Sequence, residues 1–136
     1  MKIFLSHRFT GEDLNKLTKI LSGISKCLES KNLDVFCSTF KIEFFEEQKF
    51  STEEIYGYCN ERLVEHDIIL FFIKSHHPSH GMQLELDVAI RHNKKIILLI
   101  DGALKFNKFR KNAHEIIEFN KTDSINSKIS TINFSK

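Results

Sequence analysis

The stretch Asp67-Ile68-Ile69-Leu70-Phe71-Phe72-Ile73, followed by the polar run Lys74-Ser75-His76-His77-Pro78-Ser79-His80, decides the fold. Its apolar core is far short of the roughly 18 to 20 residues that span a bilayer. It is also too uniformly apolar for a strand with one wet face. A short run of this kind reads as a strand buried on both sides, as in a parallel sheet covered by helices. Residues from about Gly81 to His92 then carry a helical pattern that stops at Asn93. Lys95-Ile96-Ile97-Leu98-Leu99-Ile100 is a second buried strand.

Outward from this unit, the same alternation continues. Lys2-Ile3-Phe4-Leu5-Ser6 is a first strand, leading into the polar loop 6–11. Leu14, Leu17, Ile20, Leu21, Ile24 and Leu28 then recur at helical spacing, with Thr10 and Asp13 placed as a capping box. Leu33 to Ser38 reads as another strand, and residues 39–50 as an irregular segment rich in phenylalanine. Ser51-Thr52-Glu53-Glu54 is a capping box opening a helix to about Glu65. A weak strand near Ile116–Phe119 and a helix after Thr122 close the chain. The expected fold is α/β: a single Rossmann/flavodoxin-like three-layer domain over residues 1–136, with a parallel sheet of 4–5 strands. Ligands of such sheets sit at the carboxyl ends of the strands. The loops 6–11 and 74–81 are therefore where a site is expected.

Composition narrows the class. The chain has 136 residues, 41% hydrophobic and 28% charged, which suits one folded core and excludes a disordered chain. With 20 basic and 18 acidic residues the net charge is +2, too small to argue for a nucleic-acid partner. The charge is nonetheless uneven. Residues 1–93 hold 11 basic and 14 acidic groups, and residues 94–136 hold 9 and 4. Three cysteines without CxxC spacing predict reduced thiols in a cytoplasm and no zinc ribbon. No segment predicts a signal peptide or a membrane contact.

The chemistry-bearing segment is Pro78-Ser79-His80-Gly81-Met82-Gln83-Leu84-Glu85-Leu86-Asp87-Val88-Ala89. A tight turn at Gly81 into the helix would leave free N–H groups which, with the Ser79 hydroxyl, make an anion cradle. Glu85 lies one turn further on and shares a face with Met82 and Ala89, so its carboxylate is partly desolvated and aimed at the strand ends. First-turn acids are also favoured by the helix dipole alone. His76, His77 and His80 crowd one loop, but no second ligand cluster accompanies them, and no metal is expected.

Ser79-x-Gly81-x-x-x-Glu85-Leu-x-x-Ala89, followed by Lys94-Lys95-Ile96-Ile97, resembles the signature of the nucleoside 2-deoxyribosyltransferase superfamily. Pro78-Ser79 before Gly81 is most similar to its 2′-deoxynucleoside 5′-monophosphate N-glycosidase branch. The resemblance runs over roughly residues 2–120 and includes Lys2-Ile3-Phe4-Leu5-Ser6 with its arginine-bearing turn. It implies that Glu85 attacks or stabilises the anomeric carbon. It also implies that Ser6, His7, Arg8, Phe9, Gly11, Ser79, Gly81 and Met82 bind substrate and its 5′-phosphate. The implied partner is a small nucleotide, with no cofactor, and the implied assembly is a homodimer or larger. The family often carries an aspartate eight residues before the acid that opens the third strand; here that position is Cys59, beside Asn60. Two further readings stand beside hydrolysis. One is a transferase exchanging bases. The other is a TIR-like module, suggested by Lys2 to Arg8, that cleaves NAD⁺ or assembles signalling complexes.

Overall fold

The computed structural model of the chain describes residues 1–8, 13–75, 79–120, 125–132 and 134. Five strands form one parallel sheet: β1 (Lys2–His7), β2 (Asp34–Cys37), β3 (Ile68–Ile73), β4 (Lys95–Asp101) and β5 (Glu115–Phe119), in the order β2-β1-β3-β4-β5. Between them run α1 (Leu14–Glu29), α2 (Ile42–Glu47), α3 (Thr52–Val64), α4 (His80–Arg91) and α5 (Asn107–Asn112), with α6 (Ile125–Ile129) last. The expected α/β architecture and its parallel sheet are as observed.

The period-two geometry of a strand explains the layering. In β3 all six residues are buried, and they divide between two cores. Ile68, Leu70 and Phe72 join Leu17, Leu21, Ile24 and Leu28 of α1, with Ile129 of α6, on one face. Ile69, Phe71 and Ile73 join Leu63 of α3 and Met82, Leu86 and Ala89 of α4 on the other. A strand with no wet side must be apolar throughout, which is what made this segment decisive. Asp67, at its entry, accepts a hydrogen bond at 2.9 Å from the backbone N–H of Lys2 and so ties the starts of β1 and β3 together.

Helix ends follow their local chemistry. Asn93 adopts φ 53°, and Lys94 N–H donates to the Ala89 carbonyl at 2.9 Å, stopping α4 where expected. Ser51 and Glu54 make both halves of the capping box at α3. At α1 the cap differs from expectation: Asp13 is itself the N-cap, accepting from the amides of Asn15 and Lys16. Its short carboxylate outcompetes a role inside the first turn, and Thr10 lies outside the described residues. The segment after β2 is also more regular than expected. Ser38–Lys41 form a 3₁₀ turn rather than a strand end, and α2 follows. Phe45 and Phe50 pack at 5.4 and 6.1 Å from the Tyr58 ring, which holds α2 against α3.

From β1 the chain goes first to β2 on one side and then to β3 on the other. Such a reversal opens a crevice above the carboxyl ends of the two strands. The edges are β2, four residues long, and β5, which carries Glu115 and Glu118. No helix among the described residues is long and apolar enough to cross a membrane.

Replacing Asp13 by Ala should leave two α1 amides without their acceptor and cost about 1 kcal/mol. The expected result is a lower urea midpoint at an unchanged denaturant slope.

Candidate active site

Above the crevice lies a pocket of about 350 Å³, within the range of small-molecule sites. Five segments build it. Helix α4 brings Ser79, Gly81, Met82 and Glu85; β1 brings His7; and the segment after β2 brings Ser38 and Thr39. Helix α3 closes the opposite wall with Thr52, Ile55, Tyr56, Cys59 and Asn60, a stripe at spacings of three and four. Ile42 and Phe45 of α2 complete the apolar side.

Glu85 is partly buried in the second turn of α4, and the Ser6 hydroxyl near the end of β1 donates to its Oε1 at 2.8 Å. Burial pushes its carboxyl up to about 8, while the Ser6 hydrogen bond pulls the other way. Removal from water disfavours the charged form, and one hydroxyl does not restore what the solvent supplied. Ser6 itself is buried. It does not line the pocket but holds the residue that does.

Ser79 is the N-cap of α4, its Oγ accepting from the Met82 amide at 3.1 Å. Its hydroxyl proton remains available to a ligand, and the His80 and Gly81 amides have no acceptor within the helix. Gly81 serves differently from expectation. A Cβ there would stand 3.0 Å from Cε1 of Tyr56, so the missing side chain admits an aromatic ring rather than a left-handed turn. Exposed His80 meets that same ring edge-on at 5.7 Å.

His7 is buried with both nitrogens engaged: Nδ1 lies 3.2 Å from the Arg8 carbonyl and Nε2 lies 2.6 Å from Thr39 Oγ1. A carbonyl can only accept, so Nδ1 carries the proton. In the neutral ring Nε2 then accepts from the Thr39 hydroxyl. Arg8 contributes its carbonyl here, and Phe9, Gly11, His76, His77 and Pro78 lie outside the described residues. Cys37 and Cys59 are buried, and burial raises both thiols to about 12, which removes them as nucleophiles near neutrality. Among the described residues no three His, Cys, Asp or Glu side chains gather as metal ligands.

The pocket thus unites Glu85, His7, Ser79, Gly81 and Met82 from the sequence reading, with Ser6 one bond behind. Thr39, Tyr56 and Ile42 were not anticipated. The signal for Tyr56 was present in the spacing of α3. Thr39 follows a strand whose carboxyl end lies on the same sheet edge as those of β1 and β3. Of the phenylalanines at 40, 44 and 45, only Phe45 reaches the pocket.

An acid that holds its proton more tightly in the folded chain stabilises the fold at low pH. For Glu85 that contribution is complete below its ordinary value of 4.5 and is lost as pH rises through about 8. Glu85→Gln keeps an acceptor for Ser6 without the charge. It should therefore melt near the wild-type temperature at pH 4 and above it at pH 9, by on the order of 2 kcal/mol in thermal or urea melts.

No family model matches the sequence. A search of curated proteins finds no match either. Solved structures do resemble the fold. A 2-deoxyribosyltransferase from the psychrotolerant bacterium Bacillus psychrosaccharolyticus is 19% identical, with TM-score 0.71 over 98% of this chain and 93% of its own. The CMP N-glycosidase BcmB of Clostridium botulinum is 18% identical, with TM-score 0.69 over 96% of this chain and 98% of its own. The chain has the overall fold of these two proteins along nearly its whole length.

Proposed function

We propose that the chain is an N-glycosidase that hydrolyses the base–sugar bond of (deoxy)nucleoside 5′-monophosphates through Glu85. The observation that carries this reading is the partly buried carboxyl of Glu85, set in a small-molecule pocket at the strand ends and oriented by Ser6. Breaking an N-glycosidic bond builds positive charge on the sugar. A preorganised carboxylate beneath C1′ stabilises that charge, or traps it as a glycosyl ester that water then opens. The start of α4 suits the 5′-phosphate. Two amides without helical partners, the Ser79 hydroxyl and the positive end of the helix dipole converge there. The base would lie against Ile55, Tyr56 and Phe45, an apolar and aromatic wall. The fold shared with a CMP N-glycosidase supports the reading, and the fold shared with a 2-deoxyribosyltransferase supports the variant in which a second base replaces water. Exposed Phe40 and Phe44 would suit a homodimer contact beside the pocket.

Incubation with deoxynucleoside monophosphates, nucleosides and NAD⁺ tests the proposal by chromatography of the free base. Base release from monophosphates is expected, with loss of about 10³-fold or more in Glu85→Ala. Undiminished release by that variant would overturn the assignment, and turnover of NAD⁺ alone would move the chain to the TIR-like class. Since the ionised form of Glu85 does the work, kcat/KM should climb as pH rises towards about 8. Ser79→Ala should reduce the preference for monophosphate over nucleoside by about tenfold, the worth of one hydrogen bond to a charged group.

A further inference from the structure

We propose that Thr39 hands the departing base its proton, with His7 behind it as the positioning residue and proton source. This rests on the glycosidase reading above and assigns the step which that reading leaves open. A purine or pyrimidine leaves poorly as an anion, so a proton must reach its ring as the bond to C1′ breaks. The hydroxyls of Ser38, Thr39, Thr52, Tyr56 and Ser79 line the pocket, and Thr39 is hydrogen-bonded to the His7 imidazole, a group that can resupply a proton. Glu85 is its one carboxyl among the described residues, and it is committed to the sugar. Asn60 cannot release an amide proton, and the buried Cys59 thiol, raised to about 12, is a weak acid.

Thr39 and His7 both line the same pocket, and both are buried. Their contact of 2.6 Å is a short hydrogen bond, and the Arg8 carbonyl fixes which way the imidazole faces. The link can run in either direction. With neutral His7 the Thr39 hydroxyl donates to Nε2; with the imidazolium, Nε2–H donates to Thr39 Oγ1, and the hydroxyl proton turns outward.

The step balances from that second state. The C1′–N bond breaks, its electron pair stays on the base nitrogen, and that nitrogen takes the Thr39 hydroxyl proton. Thr39 Oγ1 takes the Nε2 proton of His7, which is left neutral with Nδ1–H on Arg8. Water supplies the hydroxyl at C1′ and gives its other proton to the solvent, from which His7 is recharged. Among the described residues, Glu85 of α4 with Cys59 and Tyr56 of α3 are the titratable groups that share the pocket with the pair, and the Cys37 thiol of β2 contacts Thr39. Because Glu85 titrates as well, a pH profile would mix the two, and dependence on the leaving group is the cleaner measure.

The test compares ordinary guanosine and deoxyguanosine monophosphates with their N7-methyl derivatives, whose cationic base departs neutral and needs no proton. Thr39→Val and His7→Gln should lower kcat on the ordinary substrates by about 100-fold, with KM changed by less than about threefold. On the N7-methyl substrates both should stay within about threefold of wild type, and Thr39→Ser should restore the ordinary rate. Thr39→Ala serves in place of Thr39→Val if the valine variant does not fold. Equal losses on both substrate kinds, or no loss on either, would overturn the relay while leaving the glycosidase reading intact. Failure of the wild-type protein to release base from any substrate would overturn both.

Discussion

The hydrogen bond from the Ser6 hydroxyl to Glu85 joins β1 of the sheet to the helix that carries the candidate chemistry. Ser6 sits near the end of β1, paired with Phe71 of β3 and directly after Leu5, the last β1 residue in register with β2. Glu85 sits where α4 packs Met82, Leu86 and Ala89 on that sheet. Neither side chain has room to drift, and a carboxyl with so little water depends on the hydroxyl for orientation. The apolar core and the polar pair therefore support each other: the core fixes the geometry, and the pair specifies which side chain faces the crevice.

Much of this was legible in the sequence because parallel sheets write a plain pattern. Ile68 to Ile73 and Ile96 to Ile100 have no polar side, so only a strand buried on both faces accommodates them. Ser79, Gly81 and Glu85 could be placed at the cap and along the first two turns of one helix by spacing alone. What Gly81 does there could not. Its need for a missing Cβ arises from Tyr56, 25 residues earlier on a different helix, and local sequence holds no trace of that approach.

The least legible part was the stretch between β2 and α3. Phe40, Phe44, Phe45 and Phe50 break the periods by which helices and strands are recognised. The order of Phe44, Phe45 and Phe50 comes from aromatic contacts around Tyr58, beyond local pattern. The same stretch supplies Thr39 and Ile42 to the pocket. The sequence thus pointed to the α4 side by spacing and to the β1 end through the resemblance, and missed the wall that lies beside them.

The sheet's two margins bear on how copies of this chain can meet. An open parallel sheet presents unpaired amides and carbonyls along both outer strands, a template for uncontrolled strand addition. Here β2 is too short to offer a long template, and β5 flanks Ile116 and Ile117 with Glu115 and Glu118. A second chain adding to β5 would bring its own glutamates into the same register and meet like charge. Short length at β2 and acidic side chains at β5 are features that disfavour strand addition at an open sheet's margins, which directs ordered association towards the helical faces.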